Sequence, residues 1–143
     1  MRLDPAAQSA RLVWDKDLFI GIQMVDQDHQ QIVVLINQVL DAMETGRTSE
    51  KFLSSLLDEL IQFAKEHFRR EEDLMDQYGY PELQSHREVH RFLENKIMNH
   101  KKAFLAGEAE LGIAADLMKD WIVLHIQGVD RKYSRFLQAR GVA

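Results

Sequence analysis

"HREVHRFLENKI" (86–97) sets two histidines and two aliphatic residues at one helical spacing. His86, His90, Leu93 and Ile97 recur at the four- and three-residue steps that bring side chains to one face of an α-helix. A half-buried strand would alternate every second residue, and this stretch does not. The stripe reaches back to Leu83 and on to Phe104. A helix that buries such a face wants leucine or isoleucine along it, so the two imidazoles need an explanation.

Neighbouring segments repeat the pattern. "YGYP" (78–81) precedes this helix, and Pro81 suits its first turn. Upstream, Thr48 or Ser49 can cap a helix with the stripe Leu53, Leu56, Leu60, Phe63, His67, Glu71 and Leu74. "TGRTS" (45–49), with Gly46 at a left-handed cap, separates it from a first helix. Asp26 is read as the cap of that first helix, whose stripe is His29, Val33, Ile36, Leu40 and Met43. Downstream, Gly107 to Gly112 reads as a loop or a frayed helix start. A fourth helix then runs to about Leu137 with Leu117, Trp121, Leu124, His125 and Phe136. The fold class expected is all-α: an antiparallel up-down-up-down four-helix bundle over residues 26–140, in a single domain. Residues 1–25 form an N-terminal arm. Trp14, Phe19, Ile20 and Ile22 predict that it packs on the bundle.

Composition narrows the classes. The chain has 143 residues, 45% hydrophobic and 29% charged, which suits one globular core. No apolar run is long enough to span a bilayer, and "MRLDPAAQSARLVWDKD" (1–17) is too polar for a secretory leader. The expectation is a cytoplasmic protein with no membrane association. A net charge of −5 without a basic stripe argues against nucleic acid as a partner. Cysteine is absent, so any metal site must use nitrogen and oxygen donors.

The helical stripes carry His29, His67, Glu71, His86 and His90 where a bundle wants hydrocarbon. Unpartnered, they would cost several kcal/mol on burial. Topology places them together. His29 lies near the start of the first helix, His67 and Glu71 toward the end of the second, His86 and His90 near the start of the third. His125 and Asp130 lie in the second half of the fourth. In an up-down-up-down bundle these regions share one end. Residues i and i+4 differ by about 40° around a helix and roughly 6 Å along it, so His86 and His90 can hold one ion, as can His67 and Glu71. His125 and Asp130 are five apart, about 140°, which predicts a local π-type widening near Gly128. Seven donors exceed what one small transition-metal ion takes, so two ions fit better. Carboxylates bridge easily. Glu71 and Asp130 are therefore read as bridges, His86, His90 and His125 as terminal ligands of one ion, and His29 and His67 of the other. With an exogenous oxo or hydroxo bridge added, the second ion keeps one open position, suited to a diatomic ligand.

"DQDH" (26–29), "HFRREE" (67–72), "HREVH" (86–90) and "HIQGVD" (125–130) together resemble the bacterial haemerythrins, a non-haem di-iron oxygen-binding family. "WDKDLFIGIQMVDQDH" (14–29) is similar to that family's aromatic arm leading into the first helix. The likeness spans roughly 14–137. It implies two iron ions per chain, an oxo or hydroxo bridge, no haem, and reversible O2 binding at the iron held by His29 and His67. It also implies a role in oxygen storage, delivery or sensing. Trp121, Ile122 and Ile126 flank His125 and are candidates for the O2 pocket, where they would keep water and protons from the bound ligand.

Other readings stand beside this one. A di-iron enzyme (oxidase, peroxidase or nitric oxide detoxification) could use the same centre. The Glu-x-x-His motif of ferritin-like di-iron enzymes does not occur, however. Donor type alone also permits zinc or manganese. A metal-free bundle would leave the polar cluster unexplained. No catalytic residues are assigned. A separate reductase or an oxygen-consuming enzyme fits as a protein partner, and a monomer is expected. His100 reads as a capping or partly solvated histidine, and Glu72, Asp73 and Asp76 as a solvated acidic face.

Overall fold

A computed structural model of the chain describes residues 12–14, 18–44, 49–107, 116, 118–122 and 125–143. Helix α1 spans Gln23–Glu44, α2 spans Glu50–Gln77 and α3 spans Leu83–Leu105. The fourth rod is helical at 118–122 and at His125. It turns π-helical over Ile126–Asp130 and finishes as α4, Arg131–Gln138. No strand occurs among the described residues. Gly46, Thr48, Leu117, Leu124 and residues 108–112 of the expected loop lie outside them, as do residues 1–11 and 15–17 of the arm.

Contacts between rods run in opposite order, as an antiparallel bundle requires. Along α2 and α3, Asp58 pairs with Lys101 and Glu72 with Arg91. Between α3 and the fourth rod, Glu82 meets Lys132 and His90 faces His125. Between the start of α1 and the fourth rod, Gly21 meets Gln138 and His29 meets Asp130. The rods therefore run up, down, up, down, and the start of α1 lies beside the end of the fourth.

The buried face follows the expected stripe closely on α1 and is shifted on α2, and on the fourth rod Tyr133 and Leu137 are buried while Phe136 is half-buried. On α1, His29, Val33, Ile36 and Leu40 are buried. On α2 the buried face is centred one residue further round. Leu57, Phe68 and Met75 are buried, whereas Leu56, Phe63 and Leu74 are half-buried. A helix flanked on both sides covers an arc broader than one stripe, and the spacing alone leaves the centre of that arc open.

Ser49 caps α2, its hydroxyl accepting from the Phe52 N–H at 3.3 Å. At the other end of α2, Gly79 adopts φ 69°, the Gly79 N–H reaches the Asp76 carbonyl, and the Tyr80 N–H reaches the Met75 carbonyl. This is the paired closure that a left-handed glycine permits. Pro81 is not in the first turn of α3. It sits in the preceding turn, where the Leu83 N–H bonds the Tyr80 carbonyl, and Glu82 is the capping residue.

Asp26 is not the cap of α1 either. The helix begins three residues earlier, and the Asp26 N–H already bonds the Ile22 carbonyl. Its buried carboxylate turns back to accept from the N–H groups of Ile20 (2.8 Å) and Gly21 (3.1 Å). The arm is held further by Ser134, whose hydroxyl donates to the Ile20 carbonyl, and by Asn37, whose amide exchanges two hydrogen bonds with the Leu12 backbone. Leu18, Ile20 and Ile22 are buried, at every second position of the arm. Phe19 takes the outward phase, stacks edge-on with Trp14 and stays exposed, contrary to its expected packing role. No described helix is long and apolar enough to cross a membrane.

Candidate metal centre

All seven candidate donors are buried at one end of the bundle. His67, Glu71, His90 and Asp130 have no accessible surface, and His29, His86 and His125 are exposed by 5% or less. Donor atoms of Glu71, His86, His90 and His125 lie within 4.8 Å of one another, and so do those of His29, His67 and Glu71. Glu71 thus belongs to both groups. Its Oε1 lies 2.6 Å from His67 Nε2 and 3.6 Å from His90 Nε2. Asp130 also reaches both ways. Its Oδ2 lies 3.2 Å from His29 Nε2, while Oδ1 lies 3.0 Å from His125 Nε2 and 3.5 Å from His86 Nε2.

The fourth rod delivers two of these donors through its π-helical turn. That turn opens at His125 and closes at Asp130. A π turn holds more residues than an α turn, so a five-residue step returns closer to the same face. Gly128 lies within the turn, with open space where a Cβ would stand.

The donor atoms fit a cation better than they fit each other. Nε2 of His67, His86, His90 and His125, Oε1 of Glu71 and both oxygens of Asp130 have no hydrogen-bond partner among the described residues. They crowd within ion-pair distance without the angles a hydrogen bond needs. Left so, the cluster would be strongly unfavourable; a bound metal would supply the missing partner. The nitrogen and oxygen donors suit a borderline transition metal such as iron.

Residues outside the stripes aim the imidazoles. Asp28 Oδ2 stands 2.9 Å from His67 Nδ1 and 2.8 Å from Arg70 Nε. Glu72 Oε2 stands 2.8 Å from His90 Nδ1, and the carboxylate is flanked by Arg91 (3.3 Å) and Arg87 (3.4 Å). A carboxylate can only accept, so the proton sits on each Nδ1 and Nε2 is directed at the cluster. The acidic-face reading holds for exposed Asp73 and Asp76 and fails for Glu72, which is only 4% exposed. Asp28 flanks His29 in the sequence, where nothing local shows what an acid beside a candidate ligand faces. Tyr133 is the third residue missed. Its fully buried hydroxyl donates a hydrogen bond to Glu71 Oε2. The only sequence signal for these three was proximity to donor positions, within about one helical turn. His100 is half-buried and far from the cluster along α3, as expected.

Electrostatics separate the histidines. Burial opposes charge on His67, but Glu71 and Asp28 outweigh it and raise its pKa to about 9. At His86, burial prevails with the repulsion of His90 and His125, and the pKa falls to about 4. Burial likewise opposes ionisation of Asp130, yet His125 and His29 hold it well below the usual carboxylate range. The carboxylates are therefore ionised donors.

Apolar and aromatic groups wall the cluster. Phe68 stacks face-on with His90, centroids 4.0 Å apart, and meets Trp121 edge-on at 5.2 Å. Trp121 lies 5.5 Å from His125. Ile122 and Ile126 are buried on either side of His125 in the chain.

Known proteins resemble this chain in sequence and fold. The Hemerythrin HHE cation binding domain family matches residues 20–137. A bacteriohemerythrin of Methylococcus capsulatus (strain Bath) is 33% identical over 132 residues, covering 91% of this chain and 99% of the relative. One from Stenotrophomonas maltophilia (strain R551-3) is 31% identical over 130 residues, covering 91% and 84%. Among solved structures, a wild-type hemerythrin crystal structure superposes with a TM-score of 0.80 at 30% identity, covering 88% of this chain and 97% of that one. With the bundle, the arm and the matched span in agreement, this chain belongs to the haemerythrin family.

Proposed function

We propose that this chain binds O2 reversibly at a non-haem di-iron centre, serving oxygen storage, delivery or sensing rather than catalysing a reaction. One observation carries the reading: two donor groups share Glu71 and are approached by Asp130 from between, and one group is an imidazole short of the other. His86, His90 and His125 would hold one iron, and His29 and His67 the other. Glu71 and Asp130, with an oxo or hydroxo bridge, would join them, and no haem is involved. When bound, the iron pair supplies the reversible two-electron chemistry that captures and releases dioxygen.

The rest belongs to the chain itself. Asp28 and Glu72 fix the imidazole orientations. Trp121, Ile122 and Ile126, joined by Phe68, are assigned to the O2 pocket, where their bulk excludes water and so protects the reduced ligand from protonation. Imidazole-rich donors leave the pair less electron-rich than a carboxylate-rich set would, which favours holding O2 over splitting it. An oxidised centre would need a reductase partner to return it to service, and an oxygen-consuming enzyme is the natural recipient of released O2. A cytoplasmic setting and a monomeric state complete the proposal, to be checked by cell fractionation and by sizing in solution.

The test is direct. The protein is loaded with iron, reduced without air, exposed to O2 and then degassed. The proposal expects two irons per chain and a visible absorption that appears and disappears over several cycles. One-way oxidation with turnover of a co-substrate would replace it with the enzyme reading.

A further inference from the structure

Tyr133 is the one buried phenol at the cluster that ligand assignment leaves without a task. It follows Asp130 by three residues, so the π-helical turn that presents His125 and Asp130 also sets its ring under Glu71. The ring is fully buried, edge-on to His86 at 5.2 Å and to Tyr80 at 6.3 Å. Its hydroxyl reaches across 62 residues of sequence to Glu71 Oε2, whereas Oε1 faces His67 and His90. The two oxygens of Glu71 are thus unequal: one is committed to a hydrogen bond, and the other has no hydrogen-bond partner.

We infer that Tyr133 is a positioning residue that sets the donor strength of Glu71 and, through it, how readily the metal pair loses electrons. This rests on Glu71 being a bridging ligand. A neutral O–H that donates to a ligand oxygen draws electron density away from it. The weakened donor favours the reduced metal and so disfavours the irreversible oxidation that would end reversible binding. Outer partners of this kind act through orientation and basicity of the ligand, and their loss is felt at the metal though they never touch it. Tyr133 also cross-links the fourth rod to α2, so it holds Glu71 at the level of the other donors.

The experiment compares wild type, Tyr133→Phe and a variant carrying 3-fluorotyrosine, a stronger donor, at position 133. Each is loaded with zinc and, separately, with iron. In the zinc protein, infrared spectra with labelled glutamate report the carboxylate stretches without any redox step. Tyr133→Phe is expected to shift the Glu71 band, and fluorination to shift it in the opposite sense. In the iron protein, Tyr133→Phe is expected to speed irreversible oxidation by roughly fivefold, about the factor a neutral hydrogen bond carries. Fluorination is expected to slow it. Equal metal content with unchanged bands and rates in all three would overturn the inference and leave the ligand reading standing. A wild type that takes up no metal would overturn both. If Tyr133→Phe does not fold, the fluorinated variant decides alone: a shifted Glu71 band with slower oxidation supports the role, and an unchanged band or an unchanged or faster oxidation refutes it.

Discussion

Asp28 and His67 are 39 residues apart on different helices, yet Asp28 Oδ2 lies 2.9 Å from His67 Nδ1. The same oxygen holds Arg70 at 2.8 Å. Across the cluster, Glu72 treats His90 in the same way. One histidine from each donor group is therefore backed by a carboxylate that is itself held by arginine.

Removing that backing should loosen the metal without removing a ligand. Asp28→Ala is expected to weaken binding at the His29–His67 group by roughly 10- to 100-fold, and Glu72→Ala to do the same at the other group. Competition with a chromophoric chelator reads both constants. If each variant weakened both groups equally, the assignment of one carboxylate to each group would be wrong.

Loss of a terminal ligand should cost more than loss of a distant histidine. His29→Leu or His67→Leu is expected to abolish reversible O2 uptake, while His100→Leu leaves it close to wild type. The reversible absorption change measures this. Comparable losses at all three positions would remove His29 and His67 from the site.

Metal removal should destabilise the bundle end. Without a cation, the ionised carboxylates and unpartnered imidazoles stay buried together. Free metal at 100 times its dissociation constant adds about 2.7 kcal/mol to stability. Thermal unfolding of chelator-treated protein should therefore rise in midpoint as zinc or iron is returned. A midpoint indifferent to metal would mean that the folded state does not bind it preferentially.

The joint between arm and bundle should be sensitive at Gly21. Its φ of 87° disfavours any other residue, and a Cβ there would stand 2.3 Å from Gln138 Nε2. Gly21→Ala is expected to cost about 1–2 kcal/mol from backbone strain alone, with a further change as Gln138 gives way. Denaturant unfolding checks it. An unchanged midpoint would mean that the arm contributes little to stability.

Four rods, their order and the level at which donors collect were legible in the residues alone. Helical spacing is a local property, and a fixed rise per residue converts sequence position into height along a rod. The five-residue step from His125 to Asp130 even required the π-helical turn, because a regular helix would have aimed the two apart. Rotation about each rod was another matter. On α2 the spacing fits a buried face centred on Leu56 and Phe63 about as well as one centred on Leu57 and Phe68, and only the crossing of α1 and α3 over it selects the second. That same rotation turns Glu72 inward to His90 and Asp28 toward His67, and brings Tyr133 to Glu71. A carboxylate beside a ligand has the same local chemistry whether it faces solvent or an imidazole, and what lies opposite it comes from another part of the chain.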